Sequence, residues 1–335
     1  MHLDITATLP APGVRSLVWH GDSLIDWVAG GVRYELDGQI TAASVIYSYR
    51  FDAACASPSR EHVLLYERCG TKGVLLKKGE ILREINRSFY HAGVYEFPAC
   101  FARIPSGQEV LIHCPDDYNQ LDIEDLDTGK RLTDIPSRKP ADFFHSRLAA
   151  SPQGNHFLSA GWVWHPFDML SVFNLEESLQ DPKGLDGPGN LFPGLSTAIS
   201  SATFVDEQRL VLATCDETFL DDDELSDDSV LRPNSIALWS LEEAKIISQA
   251  TLSELAGTLM TVDSQFVIGF HQNPKLINIK SGEVVSRLEN LDSGKQLSSI
   301  IHHIDALPPL ALDADHQRFA LATENEIIVG GVVSD

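Results

Sequence analysis

The chain has 335 residues, 43% of them hydrophobic and 22% charged, enough apolar material for a sizeable core. The 48 acidic residues outnumber 25 basic ones and leave a net charge of -23, a surface that repels phosphate backbones. Nucleic acid is therefore not expected as a partner, and a basic protein or a cation is the more natural guest. No run of about 18 apolar residues offers a membrane span. The opening MHLDITATLP lacks the basic flank and apolar stretch of a secretory signal, and its acidic residue comes early.

In chain order, a short polar turn repeatedly precedes a compact apolar run. The runs are SLIDWVA from Ser23, HVLLYER from His62, EVLIHCP from Glu109, HFLSAGW from His156, RLVLATC from Arg209, QFVIGFH from Gln265 and RFALATE from Arg318. Their starts at 23, 62, 109, 156, 209, 265 and 318 lie 39, 47, 47, 53, 56 and 53 residues apart. The turns before them, such as SPSRE from Ser57, SPQGN from Ser151 and DADHQ from Asp313, use residue types that set up β-turns. A second strand-like run follows in each unit, from VRYELDG through LDIEDLDTG to EIIVGGVV. Such a period, with four short strands per unit, predicts an all-β, seven-bladed β-propeller of four-stranded antiparallel blades in one domain over 1–335. The expected blades span about 14–50, 51–90, 96–136, 145–190, 199–252, 257–290 and 307–334.

The last unit stops after its second apolar run. The missing outer strand is expected from the other terminus, in HLDITATL from His2 to Leu9, closing the ring and removing its raw edges. Helical periodicity is scarce; LEEAKIISQATLSELAG is the best candidate and can equally continue a strand. After Leu175, where Gly and Pro crowd the chain, the fourth strand is hard to place. The five cysteines, at 55, 69, 100, 114 and 215, include no CxxC pair and read as small buried residues of a reducing, cytoplasmic compartment.

The SPxG-type turns before a strand and the DxTG-type turns after the next one resemble the WD-repeat-like β-propeller superfamily over essentially the whole length. The chain lacks the Trp-Asp dipeptide and the regular Gly-His pair, so it resembles a divergent, bacterial-style member, and the usual WD-repeat hydrogen-bond network is not implied. The resemblance implies that the connections between second and third strands, and between blades, open on one face of the disc.

Elaboration concentrates on that face over blades three to five. Blade three carries CPDDYNQ from Cys114, and blade four the aromatic bend 161–168 with Trp162, Trp164, His165 and Phe167. Blade five carries the acidic loop 216–234, with eight acidic residues against Arg232 alone. The expected binding residues are the four of the bend together with Asp221, Asp222, Asp223, Glu224, Asp227 and Asp228. An exposed bend would act as a rigid anchor. Alternatively Trp162 extends the buried strand while Trp164 and Phe167 pack under the acidic loop. The loop itself reads as a solvated charge run, a docking element for a basic partner, or a calcium site, although it lacks the D-x-[DN]-x-[DN]-G spacing.

No GxSxG, GxxxxGK[ST], GxGxxG or HExxH motif occurs, so neither a catalytic residue nor a cofactor is expected. The adjacent pair His302-His303, if on a strand, would point to opposite faces. His113, His145 and His165 are weak candidates for a site assembled from several blades. Two readings result. One is a non-enzymatic scaffold that holds a protein, possibly a basic one, on the elaborated face. The other is a metal-dependent propeller hydrolase or lactonase with its site at the central channel.

Overall fold

A computed structural model describes residues 1–43, 45–187, 197–221, 223–227 and 229–334. Among them, 26 strands form seven antiparallel sheets. The chain opens on β1 (His2–Pro10). Blade one holds β2 (Val18–His20), β3 (Ser23–Asp26), β4 (Val32–Glu35) and β5 (Ile40–Thr41). Blade two holds β6 (Ala53–Ala56), β7 (His62–Tyr66), β8 (Lys72–Lys77) and β9 (Glu80–Asn86). Blade three holds β10 (Ala99–Arg103), β11 (Glu109–His113) and β12 (Asp122–Asp125), and blade four β13 (Leu148–Ala150), β14 (His156–Val163) and β15 (Phe167–Asn174). Blade five follows with β16 (Thr197–Phe204), β17 (Arg209–Thr218), β18 (Ser235–Ser240) and β19 (Lys245–Thr251). Blade six has β20 (Leu259–Thr261), β21 (Phe266–Gly269), β22 (Lys275–Asn278) and β23 (Val284–Arg287). Blade seven combines β24 (Leu310–Asp313), β25 (Arg318–Ala322) and β26 (Glu326–Val333) with β1 as its outer strand.

The seven apolar runs become the second strands of their sheets, and the reason is burial on both sides. Side chains alternate across a strand, so a strand packed between two neighbours has no face left for water. In β7, Val63 and Leu65 join the core shared with blade one, whereas Leu64 joins the core shared with blade three. In β11, Leu111 points back to blade two, and Val110 and Ile112 point on to blade four. One such core lies between each adjacent pair of blades around the ring.

The N-terminal strand latches the ring as expected, with His2 opposite Val333 and Pro10 opposite Glu326. A register shift between Ile5 and Ala7 matters here. In an unbroken strand Leu3 and Leu9 would share a face; with the bulge between them, Leu3 enters the blade six–seven core and Leu9 the blade seven–one core. Trp19 completes the closure by donating its indole N–H to Ala311 O at 3.2 Å, while the Arg318 guanidinium lies 4.1 Å over its ring.

Two details differ from four strands throughout. In blade three an isolated bridge between Glu124 and Arg131 stands where the fourth strand runs. In blade four the chain leaves β15 into a short helix, α1 (Leu175–Gln180), because Asn174 caps it by accepting from Glu177 N at 3.1 Å. Part of the connector that follows, 188–196, lies outside the described residues. The helical candidate around Lys245 is a strand, β19. No helix among the described residues is long and apolar enough to cross a membrane.

Carboxylates also clasp neighbouring blades. Glu207 of blade five accepts from Ser151 Oγ at 2.7 Å, Gln153 N at 2.5 Å and Asn155 N at 3.2 Å, pinning the SPQGN turn of blade four. Glu109 does the same to Ser59 in the SPSRE turn of blade two. Hydrogen bonds to a charged acceptor contribute about 1.5–3 kcal/mol each when their loss strands the partner. Glu207→Ala should therefore destabilise the protein by about 1–3 kcal/mol in urea unfolding, and Glu207→Gln by less. Removing residues 1–10 should cost more and turn β26 into an open edge, which size-exclusion chromatography would register as self-association.

Candidate functional site

The aromatic bend is a tight hairpin. Val163 pairs with Phe167, and Trp164-His165-Pro166 form the loop, turned by a left-handed His165 at φ 78°. Trp162 is still inside the sheet: it pairs with Asp168 on one side and exchanges backbone hydrogen bonds with Phe144 on the other. Its ring stacks on Phe144 at 3.9 Å between centroids, and Tyr95 meets both edge-on. Trp164 lies past the last pair and is 42% exposed. Its inner surface rests on Phe144 at 5.3 Å and on His91 at 5.1 Å, both edge-on. Tyr90, half-exposed beside it, packs on Tyr118 at 4.9 Å.

The bend is joined to its neighbours on two more sides. Phe167 is buried and stacks at 4.5 Å on Phe219, the 69%-exposed residue that opens the acidic loop. Asp168, also buried, accepts from Ser299 N at 3.1 Å and Ser299 Oγ at 2.5 Å. Ser299 belongs to the long connector 288–309 between blades six and seven. That connector reaches across the face, where Ile300 bridges to Tyr95 and Ile301 N donates to Val94 O at 2.9 Å, before it returns to β24.

The acidic loop is tied at its C-terminal end, where Leu231 enters the blade four–five core and Thr214 Oγ1 donates to Arg232 O at 2.7 Å. Asp221, Asp223, Glu224 and Asp227 are exposed, around a single 3-10 turn at Glu224–Ser226. Asp222 and Asp228 lie outside the described residues.

No family model matches the chain, and no curated protein matches it. Solved structures do. A chain of "Crystal Structure of Mitotic Checkpoint Complex" superposes with a TM-score of 0.60 at 11% identity, covering 98% of this chain and 92% of that one. The β-propeller domain of Cps50 (Swd1) from Myceliophteria thermophila gives 0.56 at 10% identity, covering 99% and 100%. The fold is a seven-bladed β-propeller.

Trp162 extends the buried strand and Phe167 packs beneath Phe219 of the acidic loop, as the alternative reading of the bend had them, and the bend presents Trp164 and His165. Trp164 packs against Tyr90 and His91 of the blade two–three connector rather than under the acidic loop. Sequence reasoning missed Phe89, which is 86% exposed, along with Tyr90 and Phe219. The available signal was SFYH, three aromatic rings in succession in the blade two–three connector.

The histidines divide clearly. His113 is buried, with Nε2 3.2 Å from Glu124. His145 is buried, with Nδ1 3.1 Å from Ser159 Oγ, and burial pushes its pKa down to about 3. His302 and His303 sit in a turn rather than a strand, their rings 5.4 Å apart and edge-on. No group of three or more His, Cys, Asp or Glu side chains among the described residues is arranged to hold a metal ion. At the channel, the Glu96 carboxylate has the Arg68 guanidinium 3.8 Å away, and Asp52 and Arg147 line the same cavity, so two arginines offset the two carboxylates a divalent cation would need.

His145 makes a pH prediction. Its folded pKa lies below the unfolded 6.5, so the unfolded chain binds the extra proton first. Its contribution is intact above pH 6.5 and falls as pH drops toward 3, by about 1.4 kcal/mol per unit. Urea unfolding at pH 7 and pH 5 should show this loss, and His145→Asn should flatten it.

Proposed function

We propose that this propeller is a non-enzymatic scaffold that holds a protein partner on the face carrying the connectors. The observation that supports it most is Trp164. An exposed indole is held from beneath by a packed aromatic cluster, so little side-chain entropy remains to be lost on binding. Tyr90 beside it and Phe219, stacked on Phe167 of the same bend, add exposed aromatic surface, and interfaces concentrate their energy in such anchors.

The acidic loop suggests the partner's character. Exposed Asp221, Asp223, Glu224 and Asp227 follow Phe219 directly, so a docked chain would meet an apolar anchor and negative charge side by side. A basic partner fits both, since Lys and Arg are attracted to carboxylates and to the faces of Trp and Tyr. One similar solved structure is, by its title, of a complex, which agrees with a propeller working inside an assembly. The hydrolase reading draws no comparable support, because the two channel carboxylates, Asp52 and Glu96, are balanced by two arginines.

The test is quantitative. Partners cross-linked to the purified protein are identified by mass spectrometry, and their affinities are measured for wild type and Trp164→Ala. The substitution should weaken binding at least tenfold, because a central anchor contributes 2 kcal/mol or more. Raising salt from about 50 to 300 mM should slow association. Undiminished affinity of a Trp164→Ala/Tyr90→Ala double variant with a native melting curve would remove this face from the interface.

A further inference from the structure

The ring axis holds a cavity of about 350 Å³, walled by the innermost strands of blades two, four, five, six and seven. The connector 288–309 closes one side of it through Gln296, Leu307, Pro308 and Pro309. The volume sits at the lower end of the roughly 300–1,000 Å³ typical of ligand pockets. Most of the wall is Ala, Leu, Ser and Thr, but four charged side chains line it: Asp52, Arg68, Glu96 and Arg147.

These charges are poorly spent within the protein. Arg147 donates Nε to Ala160 O at 3.2 Å and Nη1 to Ser200 O at 2.7 Å, which fixes its plane across blades four and five. Its Nη2 is buried with no hydrogen-bond partner among the described residues. Its backbone is left-handed at φ 44°, an uncommon conformation for a non-glycine residue and one that the fold must hold in place. The Arg68 guanidinium reaches Glu96 only at 3.8 Å and makes no shorter side-chain contact among the described residues. The Glu96 side chain is 17% exposed, and its other partner is Gln296 Nε2 at 3.5 Å. Thr258 Oγ1 donates to Gln296 Oε1 at 3.3 Å, which turns the amide N–H toward Glu96. Ionic groups largely withdrawn from water ordinarily find close ionic partners; Arg147 has only backbone carbonyls among the described residues, and Arg68 and Glu96 meet each other only at 3.8 Å.

We propose that this cavity binds a small carboxylic acid that also carries a hydroxyl or ammonium group. Arg68 and Arg147 receive the carboxylate, and Glu96 accepts from the donor while Gln296 orients it. The balance of two arginines against Asp52 and Glu96 suits a monoanion or a zwitterion better than a phosphate dianion. The site is separate from the outer face and stands or falls independently of the scaffold reading.

The test uses the whole chain with L-lactate, L-alanine, acetate and inorganic phosphate at matched ionic strength, read by thermal shift and calorimetry. Lactate or alanine should raise the melting temperature saturably, and acetate, which has no donor, should bind at least tenfold more weakly. Arg68→Gln should weaken that binding by about 10- to 100-fold, the equivalent of one charged hydrogen bond. Gln296→Ala, on the connector, should weaken it severalfold, and it decides the matter if Arg68→Gln does not fold. The proposal is overturned by the absence of saturable stabilisation, by phosphate or acetate binding as tightly as the donor-bearing acids, or by unchanged affinity in Gln296→Ala.

Discussion

Alternation of side chains across each strand makes every blade dependent on two neighbours. A strand such as β7 sends Val63 and Leu65 one way and Leu64 the other, so neither surface can be left to water. Fully burying a Leu or Val side chain contributes about 1.5–3 kcal/mol, and that contribution exists only while the adjacent blade is present. A linear stack would leave two end sheets without it. The ring removes the ends, and β1 fastens it by feeding Leu3 and Leu9 into different cores across a single bulge. Closure therefore stabilises all seven interfaces together, not only the last.

The chain's excess of carboxylates is spent in two distinct ways. Glu109 and Glu207 face neighbouring turns and accept backbone and hydroxyl hydrogen bonds, so their charge is absorbed by the architecture. Asp26 likewise gathers Arg15 N, Ser16 N, Ser16 Oγ and Ala29 N at the entry to blade one. Asp221, Asp223, Glu224 and Asp227 of the blade five loop face solvent instead. Negative charge left exposed beside aromatic rings adds to the field a partner meets, whereas charge consumed by turns does not.

Much of the scaffold was legible because burial on both faces writes a continuous apolar run, and turn residues write its limits. HVLLY and EVLIH carry that signature; the terminal HLDITATL, an outer strand exposed along most of its length, was legible because the seventh unit lacked a strand. The helix after Asn174 was hidden because six residues are too few to show a period, although Asn174 is a good cap. At the bend, residue type alone could not separate Trp162 from Trp164. Pairing separates them: Trp162 has a strand partner on each side, whereas Trp164 lies past the last pair. Phe89 and Phe219 sit in connectors without periodicity, so nothing in the local pattern marks them as exposed. The channel charges were beyond reach because Arg68, Glu96, Arg147 and Gln296 come from four distant segments.

The connector 288–309 links these layers. It leaves blade six, meets Tyr95 and Asp168 on the far side of the ring, and returns to blade seven, so it braces blades that share no sheet. On its inner side Gln296 faces the axial cavity; further along, Ile300 packs against the cluster that carries Trp164. Displacing Ile300 would loosen Tyr95, Phe144 and Trp162 together, and the exposed indole would lose the platform that keeps it in one rotamer. The rigidity of the outer anchor is thus inherited from a segment anchored on the opposite half of the ring, and that inheritance holds only while the seven blades are closed.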